Sequence, residues 1–303
     1  MKCAFILLLL LTSVGRRYPI NLDTLKYEIV GKLVVVHAKV DGNYGNFILD
    51  TGIRDLVLNS KYYQGKKSNS YIQGINGVKA ESEFCYVDFS FNSIELSSFY
   101  ALITDLHLIE KKIKRPILGL IGTKIFKDGT LILDYSRNHM IFINGKSYSQ
   151  KSNGYSVKFQ FNGLNPYIVT TLNGKSYRWN LDSGASINVL DEHCNQDLRD
   201  FLVQSGKIRL IAFGSGGIIK EHAFIRNLPI ALWILDPMET VISQLNDYNL
   251  RHPGKNSDGI LGYEFLRQMT VAIDFRHKDV YLFPKENQLI AFYLNRLFTS
   301  TLL

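Results

Sequence analysis

Two acidic residues, Asp50 and Asp182, occupy the same short motif at two places in this chain of 303 residues. Each is followed by a hydroxyl residue and a glycine, and each ends a strand-like segment, residues 47–49 or 179–181. A single motif of this kind is weak evidence, because it also forms ordinary turns. Two carboxyl groups brought together would share one proton, so that the charged group accepts a proton from water while the neutral group polarises a carbonyl.

The chain contains an internal duplication that brings the two motifs into register. Residues 31–52 align without a gap with residues 163–184, at an offset of 132 positions. Each segment is typical of two strands joined by a tight hairpin, with Asp-Gly ending at Gly42 and Asn-Gly ending at Gly174. Pairing of the two copies about a pseudo-two-fold axis would place Asp50 and Asp182 side by side.

A second repeated block closes each copy. Two apolar residues and a glycine end at Gly122 and again at Gly262, and an aspartate follows twelve residues later in both cases. Two blocks in the same order indicate two copies of one β-rich unit. We therefore predict a mainly β protein with units at residues 25–145 and 155–285, joined by a polar linker.

These motifs resemble the aspartic proteases, in particular retropepsin-like domains fused in tandem. The resemblance spans roughly residues 25–285 and is carried by Asp50 and Asp182 in their triplets and by the later apolar-apolar-Gly blocks. It implies two pseudo-symmetric β-barrel-like lobes, a retropepsin- or pepsin-like fold, with the active site between them. It also implies that Asp50 and Asp182 are the catalytic residues.

The resemblance assigns roles to neighbouring residues as well. It implies that Thr51 and Ser183 cross-brace the two loops and that a flap hairpin covers the cleft. The active-site loop support consists of Thr51, Gly52, Ser183 and Gly184. The flap candidates of the first copy are Gly74 and Gly77, and a similar glycine-rich turn lies at residues 214–217 of the second copy.

The expected function is an aspartic endopeptidase that acts on polypeptides, needs no metal or cofactor, and works as a monomer whose two copies form an intrachain pseudo-dimer. One position departs from the family pattern, because Ile53 stands where Ala, Ser or Thr is usual, whereas Ala185 fits. This departure motivates an alternative, a catalytically inactive peptide-binding module on the same fold. A third reading is a structural β protein in which the Asp loops only brace the lobes.

The N-terminus predicts export. Residues 1–15 combine a basic start, a short apolar run and small residues at the exit, which is typical of a secretory signal peptide. We therefore expect a secreted or periplasmic protein with no stable membrane insertion after signal removal. Cys85 and Cys194 would remain after cleavage, and the sequence leaves open whether they pair. The apolar tail, residues 286–303, has no predicted role.

Charge and ligand patterns argue against other functions. The formal charge is +8, but the basic residues are dispersed, and the run at residues 111–115 is interpreted as a solvated loop, so no nucleic-acid partner is expected. The histidines and cysteines lack the spacing of metal ligands, so no metal site is predicted. His193 and Cys194 are adjacent, and adjacent residues on a helix or strand do not face each other, so no thiol–imidazole pair is expected.

Overall fold

The structure, a computed structural model, describes residues 23–74, 79–145, 155–158, 166–172, 174–211, 217–230, 233–245 and 256–284. The predicted signal peptide (1–15), the flap candidate Gly77 and the C-terminal tail (286–303) lie outside these residues. The described chain consists mainly of β-strands arranged in several sheets, which confirms the mainly β class predicted from the sequence.

The first half contributes strands β1 to β11 and one α-helix. The strands are β1 (Asp23–Lys26), β2 (Glu28–Val30), β3 (Leu33–Val40), β4 (Asn43–Leu49), β5 (Leu56–Asn59), β6 (Lys66–Gln73), β7 (Lys79–Phe91), β8 (Ile94–Thr104), β9 (Gly119–Ile121), β10 (Gly129–Asp134) and β11 (His139–Asn144). Helix α1 (His107–Ile113) precedes β9, and a 3-10 helix (Thr123–Phe126) follows it.

The described residues of the second half form strands β12 to β23 and a short helix. The strands are β12 (Tyr155–Lys158), β13 (Tyr167–Leu172), β14 (Lys175–Leu181), β15 (Asn188–Asp191), β16 (Leu202–Leu210), β17 (Ile218–Ile225), β18 (Pro229–Ile230), β19 (Trp233–Ile234), β20 (Met238–Ser243), β21 (Gly259–Leu261), β22 (Met269–Asp274) and β23 (Asp279–Pro284). The helices are the 3-10 helices Glu192–Cys194 and Arg199–Phe201, and α2 (Tyr263–Leu266).

The two predicted hairpins are present. β3 pairs antiparallel with β4 as far as Val40 opposite Asn43, and β13 pairs with β14 as far as Leu172 opposite Lys175. The first turn has positive φ at both central residues, 48° at Asp41 and 80° at Gly42. This left-handed backbone matches the twist of a two-residue hairpin, and it explains the preference for Asp-Gly there.

The second repeated block of each copy contributes a strand that lies in the sheet between the Asp strand and the strand that follows it in sequence. β9 lies between β4 and β5, parallel to β4 and antiparallel to β5. β21 lies in the same way between β14 and β15. The first-half sheet has the order β2-β3-β4-β9-β5-β8-β7-β6, and β3 also pairs with β7, so this sheet curls back on itself. The second-half sheet has the order β13-β14-β21-β15-β20-β17-β16.

A third sheet joins the two halves. Its order is β1-β11-β10-β22-β23-β12, and its central pair, β10 with β22, brings together one strand from each copy. This pair runs antiparallel from Thr130 opposite Asp274 to Asp134 opposite Thr270. The backbone hydrogen bonds of the two halves are therefore continuous across their junction.

Side-chain alternation along the strands separates a large core from two smaller apolar clusters. On β3, Val34 and Val36 point into the large core, whereas Leu33 and Val35 point to the other face. The opposite-face residues of the first half form one small cluster with Ile48, Val57 and Leu120. The second half has a corresponding cluster built around Ile187, Val189, Leu210 and Ile260. These two clusters become the walls of the cavity described next.

Candidate active site

Asp50 and Asp182 occupy equivalent positions at the ends of β4 and β14. The backbone N–H of Asp50 donates to the carbonyl of Ile121, and that of Asp182 donates to the carbonyl of Leu261, both at 3.0 Å. The acceptors belong to β9 and β21, the strands built by the second repeated block. Each Asp is therefore fixed at the point where its strand leaves the sheet.

The structure places the two carboxyl groups side by side, since the Cγ atom of each aspartate lies against the glycine of the opposite loop. Each also accepts a hydrogen bond within its own loop: Gly52 N–H donates to Asp50 Oδ1 at 2.9 Å, and Gly184 N–H donates to Asp182 Oδ1 at 2.8 Å. The glycines permit this approach, since a Cβ on either Gly52 or Gly184 would lie 2.4 Å from the Cγ atom of the opposite aspartate. Any larger residue would push the loops apart.

Thr51 and Ser183 brace the two loops reciprocally. The Thr51 N–H donates to Ser183 Oγ and the Ser183 N–H donates to Thr51 Oγ1, both at 3.0 Å. Each hydroxyl in turn donates across to the opposite strand, Thr51 to the Leu181 carbonyl at 2.9 Å and Ser183 to the Leu49 carbonyl at 2.8 Å. Both side chains are buried, so these bonds are shielded from competition with water.

The environment raises the pKa of both carboxyl groups. The pKa of Asp50 lies well above its usual value because the group is desolvated, because the charge of Asp182 opposes a second charge, and because the hydrogen bond between them favours its protonated form. The pKa of Asp182 is also raised by desolvation, but hydrogen bonds from Gly184 N–H and from Asp50 oppose that rise. The pair therefore holds one proton between its two carboxyl groups.

The first loop keeps the same backbone hydrogen bond as the second loop, even though Ile53 is bulky. The Thr123 N–H donates to the Ile53 carbonyl at 3.0 Å, and the Tyr263 N–H donates to the Ala185 carbonyl at 2.8 Å. The Ile53 side chain packs against the first-half apolar cluster. The bulky residue thus replaces a small one without breaking the equivalent hydrogen bond.

A cavity of about 200 Å³ lies above the two carboxyl groups, and both halves line it. Its charged lining residues are Asp50, Asp182 and Lys112, and most of the other lining side chains are aliphatic. Gly74 is also part of the lining. It directly follows β6, which pairs with β7 as far as Gln73 opposite Lys79, so this flap candidate lies at the tip of a hairpin that reaches the cavity.

Sequence reasoning missed Lys112. The sequence predicts a solvated loop for the basic run at residues 111–115, but residues 111–113 form the last turn of α1. Lys112 Nζ donates to Ser186 Oγ at 3.0 Å, four residues beyond Asp182, and burial lowers the pKa of this lysine. Only the contact with Ser186 reveals this lysine, because a run of basic residues in a sequence usually marks a solvated surface.

The expectation for His193 and Cys194 is wrong. These adjacent residues lie on a 3-10 helix, and Cys194 Sγ is 3.2 Å from His193 Nε2. Asp258, far away in sequence, completes the group at 2.8 Å from the same nitrogen. Cys85 and Cys194 are both free thiols, so the pairing that the sequence left open is not formed.

The chain was compared with known proteins. No protein-family model matches it, and a search of the curated proteins gives no significant match. Among the described residues, no helix is both long and apolar enough to cross a membrane.

Proposed function

We propose that this protein is an aspartic endopeptidase that hydrolyses peptide bonds with a water molecule activated between Asp50 and Asp182. The observation that carries the proposal is the contact between the two carboxyl groups beneath a cavity lined by both halves. Desolvated carboxyl groups in contact share one proton, so the pair contains a base and an acid at the same time. Hydrolysis of an amide by water uses both groups.

The two aspartates have different roles in this proposal. Ionised Asp182 accepts a proton from the bound water as the water oxygen attacks the carbonyl carbon of the peptide. Protonated Asp50 donates a hydrogen bond to the carbonyl oxygen, where negative charge develops. The proton taken from water then passes to the amide nitrogen as the C–N bond breaks, and the products are a carboxylic acid and an amine. Desolvation raises the pKa of both carboxyl groups, which keeps one proton on the pair, and the proposal places that proton on Asp50.

The cavity indicates the class of substrate. Its walls are the two small apolar clusters, so aliphatic or aromatic side chains next to the scissile bond would be desolvated there. Strand β6 of the β6–β7 hairpin leads to Gly74 and offers backbone groups beside the cavity. An extended peptide can add to the edge of such a strand as a further strand. We therefore propose a polypeptide substrate with apolar residues at the cleavage site.

The architecture of the proposed enzyme is a pair of pseudo-symmetric lobes of the retropepsin- or pepsin-like kind, within residues 25–145 and 155–285. Support comes from the equivalent strand orders β4-β9-β5 and β14-β21-β15 and from the sheet that joins the halves. One chain supplies both aspartates, so the proposed active form is a monomer. We also propose that it is secreted or periplasmic, on the basis of residues 1–15.

Cleavage of a mixed peptide library, followed by mass spectrometry, tests the proposal. We expect the wild type to cut within the library and the Asp182→Asn variant to leave it intact. An inactive peptide-binding module would retain peptides without cutting them, and a purely structural protein would do neither. Absence of cleavage by the folded wild type at every pH between about 3 and 8 would reject the proposal. Some pH in this range should leave one proton on the pair, which is the state that the mechanism requires.

A further inference from the structure

A cluster of three potential ligand atoms lies in the second half, outside the candidate active site. His193 Nε2, Cys194 Sγ and a carboxylate oxygen of Asp258 lie within 4.8 Å of one another. The separations are 3.2 Å from sulfur to nitrogen, 2.8 Å from nitrogen to oxygen, and 3.6 Å from sulfur to oxygen. A thiol, an imidazole and a carboxylate are the three side-chain types that bind zinc.

A fourth residue orients the imidazole. His193 Nδ1 lies 2.6 Å from Asp191 Oδ1, and this buried carboxylate also accepts the backbone N–H groups of His193 and Leu245. Because a carboxylate oxygen only accepts, Asp191 holds a proton on Nδ1, and a metal ion at Nε2 would take the place of the proton that Nε2 shares with Asp258. A carboxylate behind the metal-binding imidazole is the usual outer support of a zinc ligand.

We propose that His193 Nε2, Cys194 Sγ and Asp258 bind a divalent transition-metal ion, with Zn²⁺ the favoured ion. Zinc lies about 2.3 Å from sulfur and about 2.0–2.2 Å from nitrogen or oxygen, so tetrahedral ligand atoms are about 3.4–3.6 Å apart. The sulfur–oxygen separation already fits this range. The imidazole must move by about half an ångström, and its half-exposed position leaves room to do so.

Charge and access also suit a metal ion. Binding releases two protons to solvent, one from the thiol and one from Nε2, and thiolate, carboxylate and Zn²⁺ together are neutral. Cys194 is buried, so a cation is the partner that makes a thiolate acceptable there. Asp258 also lines a second cavity of about 350 Å³, and the His193 side chain is half exposed, so the cluster lies near solvent.

The location suggests a structural effect on the second half. Asp191 ends β15 and Asp258 directly precedes β21, and these two strands pair through Leu190 opposite Gly259. The Asp191 N–H also donates to the Asp258 carbonyl at 2.9 Å. A bound ion would tie the end of β15 to the start of β21. The competing arrangement has no metal, with a protonated His193 held between the carboxylates of Asp191 and Asp258.

Titration of the metal-free full-length chain with Co²⁺ tests the site, because a thiolate bound to cobalt gives a near-ultraviolet charge-transfer band. We expect this band in the wild type, and we expect Zn²⁺ to displace it at about one ion per chain. Cys194→Ser should abolish the band, whereas the matched control Cys85→Ser should keep it. Asp191→Asn should weaken Co²⁺ binding about 10–100-fold.

Circular dichroism establishes that each variant is folded. A wild type without the band, even if it binds Co²⁺ elsewhere, would overturn the proposal. Persistence of the band in Cys194→Ser, or its loss in Cys85→Ser, would do the same. If Cys194→Ser does not fold, the wild-type spectrum and the Asp191→Asn affinity decide the question.

Discussion

The two Asp loops share their backbone bonds and differ in what surrounds their carboxyl groups. In both loops, the Asp N–H donates a hydrogen bond to the strand built by the second repeated block, β9 or β21. The glycine N–H donates to the Asp side chain, and the hydroxyl of each loop accepts a backbone N–H of the other loop. The position after the glycine differs in bulk, however: Ile53 and Ala185 each pack against the apolar cluster of their own half, but Ile53 is large and Ala185 is small. Desolvation raises the pKa of both aspartates. The duplicated backbone therefore sets the contact, and the bulk of the residue after each glycine is what differs.

The largest effect is expected from adding a methyl group where the loops touch. In Gly52→Ala or Gly184→Ala, the new Cβ would lie 2.4 Å from the opposite carboxyl carbon, so the loops must separate. A displacement of about 1 Å costs about a hundredfold in rate, so kcat/KM should fall at least about a hundredfold in each variant. Kinetics on a peptide chosen from the library, with circular dichroism as the folding control, measures this. Near-normal activity in either variant would show that the loops are not held in contact.

The reciprocal brace should contribute equally from its two sides. Thr51→Val and Ser183→Ala each leave a buried N–H and a buried carbonyl without a partner, so each should lower the free energy of unfolding by about 1–3 kcal/mol. Thr51→Ser keeps the hydroxyl and serves as the matched control, with a smaller loss. Urea denaturation provides the measurement. A stable Thr51→Val beside an unstable Ser183→Ala would show that the brace is one-sided.

The pH dependence of stability should separate the dyad from an ordinary carboxylate. The pKa of Asp50 is raised in the folded state, so protonation of this carboxyl group favours the folded state. This contribution to stability is fully present below the unfolded pKa and is lost as pH rises through the folded pKa. Asp50→Asn cannot ionise, so it should become more stable than the wild type as pH increases. Urea midpoints at several pH values between about 4 and 8 measure this difference. Parallel curves would contradict the raised pKa.

The smallest effect concerns the apolar residues that follow the two glycines. Neither the Ile53 side chain nor the Ala185 side chain can add a hydrogen bond to an ionised carboxylate, so activity should peak at mildly acidic to near-neutral pH. Ala185→Ser adds a donor, which should shift the kcat/KM profile towards acid by up to about one pH unit. Ser186→Ala, which removes a hydroxyl bonded to Lys112, is the control and should leave the profile in place. An unmoved Ala185→Ser profile would refute this account of the pH optimum.

Local and repeated features of the fold could be predicted from sequence. The duplication and the Asp-Gly and Asn-Gly turns indicated the hairpins, and the equivalent placement of Asp50 and Asp182 indicated a pair. The sheet that joins β10 to β22 left no such signal, because pairing between distant strands has no local pattern. The contact of His193 with Cys194 was missed for a related reason. It depends on a 3-10 turn and on Asp258, which lies 65 residues from His193.

The central claim is that one chain holds a complete catalytic pair, and mixing of variants tests it most directly. The measurement compares kcat/KM for the wild type, Asp50→Asn, Asp182→Asn and an equimolar mixture of the two variants. We expect activity in the wild type and a loss of at least about 10²–10⁴-fold in each variant and in the mixture, because general acid–base catalysis needs both groups in one site. A single variant that keeps most of its activity would remove that residue from the pair. Recovery of activity in the mixture would show that the site forms between chains, which would contradict the account.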